Sequence, residues 1–182
     1  MLPISIPAIE IWDAKRRVFV NHEPITLQLE HSLVSLSKWE SKWNKPFLSK
    51  TEKTDEETID YIRCMTITPN VSQVVFDYIS SNKELVEQIY TYINAPMTAT
   101  TFSKDKSAKN NREVITSEII YYWMISFNIP VEFQDWHLNR LITLIRVCSI
   151  KSGKPKKIGT KEQMSRNTSL NAARKKQFNS RG

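Results

Sequence analysis

The sequence predicts an α+β fold class: a mostly helical domain with a small N-terminal antiparallel sheet and a basic C-terminal tail. Three observations support this prediction. Short β-prone runs fill about the first thirty positions, apolar residues then recur with a helical period, and basic residues concentrate after position 150. Of the 182 residues, 40% are hydrophobic and 25% charged, which suits one globular domain with an appendage. We therefore expect a globular domain over residues 1–150 and a basic tail over 151–182.

The predicted sheet rests on three β-prone runs at residues 9–11, 18–20 and 26–29. A charged turn at 13–17 separates the first two runs, and a turn at 21–24 separates the second from the third. The pattern predicts a three-stranded meander or a hairpin plus one strand. Proline cannot donate to a ladder, so three prolines place these strands at sheet edges: Pro3, Pro7 and Pro24.

Helical periodicity begins after Ser32, which is a suitable N-cap for a helix that ends at Pro46. A second helix is predicted to start at Thr54, because Thr54 and Glu57 have the spacing of a capping box. Two shorter helices are predicted next, at residues 71–79 and 83–93.

Two longer helices are predicted in the second half of the chain. Residues 97–112 are polar, rich in lysine and without periodicity, which indicates a surface loop. Helices are predicted at 113–127 and 131–150, and the second is apolar on so much of its circumference that we expect it to be central. Beyond it, a cationic linker at 151–159 leads to a short predicted helix at 160–177.

Glycine is almost absent from the chain. Gly153, Gly159 and Gly182 are the only three, so the first 152 residues contain none. Phosphate-binding loops need glycine because the backbone must approach the ligand closely, often with positive φ. A Walker loop, a dinucleotide-binding fingerprint and a nucleophile elbow are therefore excluded. We expect a protein that is not an enzyme, has no catalytic residues and binds no cofactor.

The candidate metal ligands and nucleophiles are few. His22, His31 and His137 lack the spacing of a metal site and are interpreted as structural or surface residues, so no metal site is predicted. Cys64 and Cys148 are interpreted as buried, inert thiols.

Two further clusters have a functional and a structural interpretation. Four carboxylates at the start of the second helix could act as an acid–base pair, but the helix dipole favours a solvated cap: Asp55, Glu56, Glu57 and Asp60. Five aromatic residues could stack on nucleobases, but their helical spacing among apolar neighbours favours core packing: Tyr121, Tyr122, Trp123, Phe133 and Trp136.

The C-terminal tail is strongly cationic. Residues 151–182 contain ten basic side chains and one acid, Glu162, which gives the tail a formal charge of +9. Such a tail could bind nucleic acid, bind an acidic protein, or serve solubility alone. The candidate binding residues are Lys151, Lys154, Lys156, Lys157, Lys161, Arg166, Arg174, Lys175, Lys176 and Arg181.

Seven segments distributed along the chain form a recognisable pattern: LEHSL at 29–33, WESKW at 39–43, DYIRCMT at 60–66, PMTATTF at 96–102, YYWM at 121–124, WHLNRL at 136–141 and LNAARKK at 170–176. With these segments the chain resembles small proteins of tailed bacteriophages known as tail assembly chaperones. The resemblance spans most of the chain and rests on this general pattern, with no catalytic signature.

The resemblance implies a non-enzymatic function in phage morphogenesis. Such chaperones bind the long helical tape measure protein and keep its apolar surface from aggregating while tail tube subunits polymerise around it. The implied location is the host cytoplasm during assembly, with no membrane association. A candidate contact surface consists of Trp39, Trp43 and Phe47, which Lys38, Lys42 and Lys45 flank, although ordinary core packing of these aromatics stays open.

Two alternatives stay open. The chain could be a structural or connector subunit of the virion whose basic tail contacts packaged DNA or an acidic neighbouring protein. It could also be a free nucleic-acid-binding regulator, with an affinity that falls steeply with salt.

Overall fold

The computed structural model describes residues 1–13, 17–102, 114–152 and 160–178. The described elements are β1 (Leu2–Ile6), β2 (Ile9–Asp13), β3 (Val18–His22), β4 (Ile25–Leu29), α1 (Leu33–Trp43), α2 (Asp55–Met65), α3 (Gln73–Ser81), α4 (Lys83–Asn94), α5 (Ser117–Ser126), a 3-10 turn (Val131–Asp135), α6 (Leu138–Ser152) and α7 (Thr160–Phe178). This composition confirms the predicted α+β, mostly helical class. The chain divides into two compact units, Met1–Ser149 and Ile150–Gly182.

The N-terminal strands form two antiparallel two-stranded sheets, which together we name the ribbon. β1 pairs with β4 from Leu2 opposite Leu29, and β2 pairs with β3 from Ile9 opposite His22. The two registers are the same, so Pro7 falls opposite Pro24 between the two pairs. Neither proline has an N–H to donate, which explains why the ladder is interrupted there. The predicted hairpin is confirmed, because its two runs form β2 and β3. The alternative three-stranded meander is wrong, because β4 pairs with β1, a strand that the sequence does not predict.

The predicted starts of α1 and α2 are confirmed. The Ser32 side chain accepts from the Ser35 N–H, and the Thr54 side chain accepts from the Glu57 N–H; both caps are reciprocal capping boxes. α1 ends at Trp43, and the next residue, Asn44, caps the helix in the left-handed conformation two residues before Pro46. Local cap chemistry therefore determines these helix boundaries.

The two longer helices of the second half differ from their predicted bounds. The helix predicted at 113–127 begins at Ser117. The helix predicted at 131–150 is divided into the 3-10 turn and α6, because Trp136 between them has an extended backbone. His137, predicted inside this helix, precedes α6 and forms an isolated bridge with Ser32.

Two apolar clusters make up the core of the first unit. The larger one joins the ribbon to α1, α2, α3 and α4, and the smaller one joins α1 to α5 and α6. α1 contributes Trp39 to the first cluster and Leu33 and Leu36 to the second. The expectation that the helix at 131–150 is central is therefore wrong: α6 buries one face through Leu138, Leu141 and Ile145, and α1 is the helix that both clusters share.

α7 confirms a helix in the tail. Most of the predicted loop at 97–112 and most of the predicted linker at 151–159 lie outside the described residues, although α6 extends through Lys151 and Ser152. Over the described ranges, no helix is both long and apolar enough to cross a membrane.

Candidate partner-binding surface

The structure places the aromatic residues of the predicted contact surface in and against the larger core cluster. Trp39 is 1% exposed and donates its indole N–H to the Glu57 carbonyl at 2.8 Å. Trp43 and Phe47 are half-buried, and the Phe47 ring stacks on Tyr61 with 3.9 Å between centroids. Trp39 therefore cannot contact a partner, and the core interpretation is the correct one for it.

The lysines beside these aromatics are held by two buried carboxylates of α2. Lys45 pairs with Glu57 at 2.5 Å, and Lys42 pairs with Asp60, which also accepts from the Trp43 indole at 2.9 Å. The Lys45 ammonium and the Thr54 N–H lower the pKa of Glu57. The interpretation of the acidic cluster as a solvated cap is thus wrong for Glu57 and Asp60, which are 3% and 5% exposed.

A third buried carboxylate was not singled out from the sequence. Glu40 is 7% exposed, and its two oxygens accept from the Phe47 N–H at 2.8 Å and the Ser117 N–H at 2.7 Å. Ser117 is the first residue of α5, so the carboxylate also lies at the positive end of that helix. Glu40 therefore joins α1, the segment after it and α5. A glutamate within a helical pattern does not by itself indicate a hydrogen-bond partner far away in the sequence.

α5 presents a largely apolar surface that the described residues of the first unit leave uncovered. Its ten residues include one charged side chain, Glu118, so the helix is apolar on nearly every side. It buries only the side that carries Ser117, Ile120 and Met124. On the opposite side, which we name the α5 outer face, Ile119 is half-buried, Tyr122 is 65% exposed and Ile125 is 75% exposed, and the polar Glu118 and Ser126 are exposed beside them. A helix that is apolar all round is ordinarily covered on all sides.

The predicted aromatic core cluster is only partly buried. Tyr122 is exposed, and Tyr121, Trp123 and Phe133 are half-buried against the smaller cluster. Trp136 is half-buried and stacks on the Phe133 ring. The Tyr121 hydroxyl donates to Gln134 at 2.9 Å, which connects α5 to the 3-10 turn. Core packing was thus correct only in part, because one helix face cannot bury all the aromatic side chains of α5.

A second apolar surface lies between α2 and α4. It is a recess of about 440 Å³ whose lining includes Phe47, Tyr61, Ile89, Tyr90 and Ile93. Tyr90 is 48% exposed at this recess. The recess is the main alternative to the α5 outer face as a place for an apolar partner.

Two buried histidines meet where β4, α1 and α6 come together. The rings of His31 and His137 lie edge to face, 5.0 Å apart, and His31 Nδ1 lies 2.5 Å from the Tyr61 hydroxyl. His137 Nε2 lies 3.0 Å from the Tyr92 carbonyl, so the neutral ring carries its proton on Nε2. Its Nδ1 has no hydrogen-bond partner within the part of the chain that the structure describes.

Burial, followed by the charge of His137, lowers the pKa of His31 to about 3, and burial also lowers the pKa of His137. The unfolded chain, with a value of 6.5 for His31, therefore binds more protons than the folded chain between pH 6.5 and about 3. We expect the free energy of unfolding to fall across that window as the solution is acidified, with a slope approaching about 1.4 kcal/mol per pH unit. Urea unfolding at pH 7, 6 and 5 measures this slope of the free energy of unfolding against pH.

Two single variants test the assignment of this slope to the buried pair. His31→Asn is expected to reduce the slope between pH 6 and 5. His22→Asn is the matched control: His22 lies at the end of β3 next to Ser72 and outside the pair, so the slope should be retained. An unchanged slope in His31→Asn would show that other groups cause the acid sensitivity.

The two cysteines are half-buried free thiols and not the buried thiols that were expected. Burial, with a further contribution from Asp60, raises the pKa of Cys64, which disfavours a reactive thiolate. Within the described ranges, no three histidine, cysteine, aspartate or glutamate side chains are grouped to hold a metal ion.

The basic residues of the tail are described only in part. Lys151, Arg174 and Lys175 are exposed. Lys161, Arg166 and Lys176 belong to α7 by position, and the remaining four candidates lie outside the described residues: Lys154, Lys156, Lys157 and Arg181.

No protein-family model, curated protein or solved structure matches this chain.

Proposed function

We propose that this chain is a phage morphogenesis protein, a tail assembly chaperone that binds a helix of the tape measure protein through the α5 outer face. The proposed binding is non-catalytic and takes place in the host cytoplasm before the tail is complete. One observation carries the proposal: α5 is apolar on nearly every side, yet Tyr122 and Ile125 are exposed. The resemblance of the sequence to tail assembly chaperones adds the identity of the partner.

The chemistry of the α5 outer face suits an apolar helical partner. Tyr122 and Ile125 are three residues apart on one helix, so together with Ile119 they form a stripe that another helix can pack along. Aromatic and branched aliphatic side chains are frequent anchors where an amphipathic helix binds a partner. A chaperone must release its client, and a stripe one short helix long favours reversible binding over a permanent interface.

We expect Tyr122→Glu and Ile125→Glu each to weaken binding of the tape measure protein at least tenfold, because each places a charge in an apolar contact. The measurement is co-expression of the full chain with the tape measure protein of the same phage genome. The amount of soluble, co-purified tape measure protein is then compared between variants.

Tyr90→Glu is the matched comparison, because it makes the same change at an exposed tyrosine of the α2–α4 recess. It is expected to leave co-purification unchanged. Loss of binding in Tyr90→Glu but not in Tyr122→Glu would assign the recess as the binding surface instead. If the wild-type chain recovers neither the tape measure nor the tail tube protein, and mass spectrometry detects it in purified particles, the chain is a virion subunit.

A further inference from the structure

α7 is an exposed cationic helix. It spans nineteen residues, Thr160–Phe178, and every side chain of it that the structure describes is exposed. Its sequence contains five basic residues and one acid, Glu162. A helix of this length extends about 28 Å at 1.5 Å per residue. The helix therefore carries a dense positive charge, and none of its described side chains is buried.

The sequence of α7 does not fit recognition by an apolar groove. Its exposed large apolar residues are Met164, Leu170 and Phe178. At about 100° per residue, Leu170 lies about 120° around the helix from Met164, and Phe178 returns to the Met164 side almost four turns later. Binding in an apolar groove requires anchors three or four residues apart on one side. α7 has no such stripe.

The charge distribution fits a partner with anionic groups on both flanks of the helix. Positions 161, 166, 174, 175 and 176 are basic, and at about 100° per residue they are spread around the helix and not along one side. An acidic protein surface would meet only one side. The major groove of B-form DNA admits an α-helix and has a phosphate backbone along each edge.

The uncharged residues of α7 agree with such a partner. Eight of its nineteen residues are Ser, Thr, Asn or Gln, whose side chains hydrogen-bond to phosphates and base edges. Ala172 is exposed and small, which permits close approach of the helix backbone. We propose that α7 binds duplex DNA by lying along its major groove. This proposal rests on the charge and pattern of α7 and is independent of the partner proposed for α5.

The test uses the full chain and a fluorescein-labelled DNA duplex of about one and a half helical turns, with anisotropy measured from 50 to 200 mM salt. Each phosphate that a basic side chain neutralises contributes about −0.9 to the slope of log affinity against log salt. With three to five phosphates contacted, the expected slope is about −2.7 to −4.5. The double variant Arg174→Gln/Lys175→Gln should reduce its magnitude by about 2 and weaken binding at least tenfold at 100 mM salt.

Arg17→Gln/Lys50→Gln is the matched control, because it removes the same charge from exposed positions of the first unit. It is expected to leave the slope unchanged. Circular dichroism of the unsubstituted chain and of both double variants is expected to show the same fold, because the substituted side chains are exposed. Equal losses in both double variants would overturn the proposal, since binding would then follow net charge alone.

Three competing ligands complete the test: single-stranded DNA, duplex RNA and poly-glutamate. The labelled duplex should be displaced best by unlabelled duplex DNA. Stronger displacement by either other nucleic acid would exclude the groove geometry, and stronger displacement by poly-glutamate would assign α7 to an acidic protein. Failure of the full chain to bind the duplex at 50 mM salt would also overturn the proposal and would leave the function proposed for α5 unaffected.

Discussion

Glu40→Ala is expected to lower the free energy of unfolding by about 3 kcal/mol. The substitution leaves the N–H groups of Phe47 and Ser117 without their carboxylate acceptor, and it removes a negative charge from the N-terminus of α5. A buried donor that loses its only acceptor costs about 1–3 kcal/mol, which is why two of them give the expected loss. Urea unfolding at pH 7 measures this difference.

Two comparisons separate the role of this carboxylate from a general effect of charge. Glu56→Ala removes an exposed carboxylate from the first turn of α2 and is expected to cost less than about 1 kcal/mol. Glu40→Gln keeps the shape of the side chain, but its amide nitrogen cannot accept from an N–H, so about 2 kcal/mol should be lost. Equal stability of the Glu40→Ala and Glu56→Ala variants would show that Glu40 does not hold α5 in place.

The features that could be predicted from the sequence are those with local causes. The N-cap at Ser32 and the capping box at Thr54 were predicted because each residue lies within four positions of its partner. The ribbon was not predicted correctly because its register joins residues up to 27 positions apart, Leu2 with Leu29, and no local pattern records such a pairing. The backbone at Trp136 is extended and ends the 3-10 turn before α6. The periodic spacing of apolar residues likewise does not indicate such a break.

The candidate site was predicted less well than the fold, for a related reason. An apolar residue on a helix has the same sequence signal whether a partner or the protein's own core covers it. Trp39 and Tyr122 both lie on helices among apolar residues, yet Trp39 is 1% exposed and Tyr122 is 65% exposed. The signal that could have identified α5 was its composition, because a helix that is apolar on nearly every side is ordinarily covered on nearly every side.

Trp39→Ala is expected to lower the free energy of unfolding by about 3–5 kcal/mol, a large part of the stability of a domain of this size. The indole fills the contact between α1 and α2, with the rings of Trp43 and Phe47 at 6.2 and 5.1 Å. Alanine would leave a cavity there and would also remove the donor to the Glu57 carbonyl. Thermal and urea unfolding of the full chain measure the loss.

Two further substitutions distinguish this core role from the contact role that the sequence also permitted. Trp39→Phe retains most of the apolar volume and loses the indole N–H, so the expected cost is about 1–2 kcal/mol. Tyr122→Ala removes an exposed ring and is expected to change stability by less than about 0.5 kcal/mol, although Tyr122 belongs to the proposed contact surface. If Trp39 contacted the partner instead of packing in the core, Trp39→Ala would leave the free energy of unfolding unchanged and would abolish co-purification of the tape measure protein. A residue that is 1% exposed can affect a partner only through the fold, so loss of binding should follow loss of folded protein.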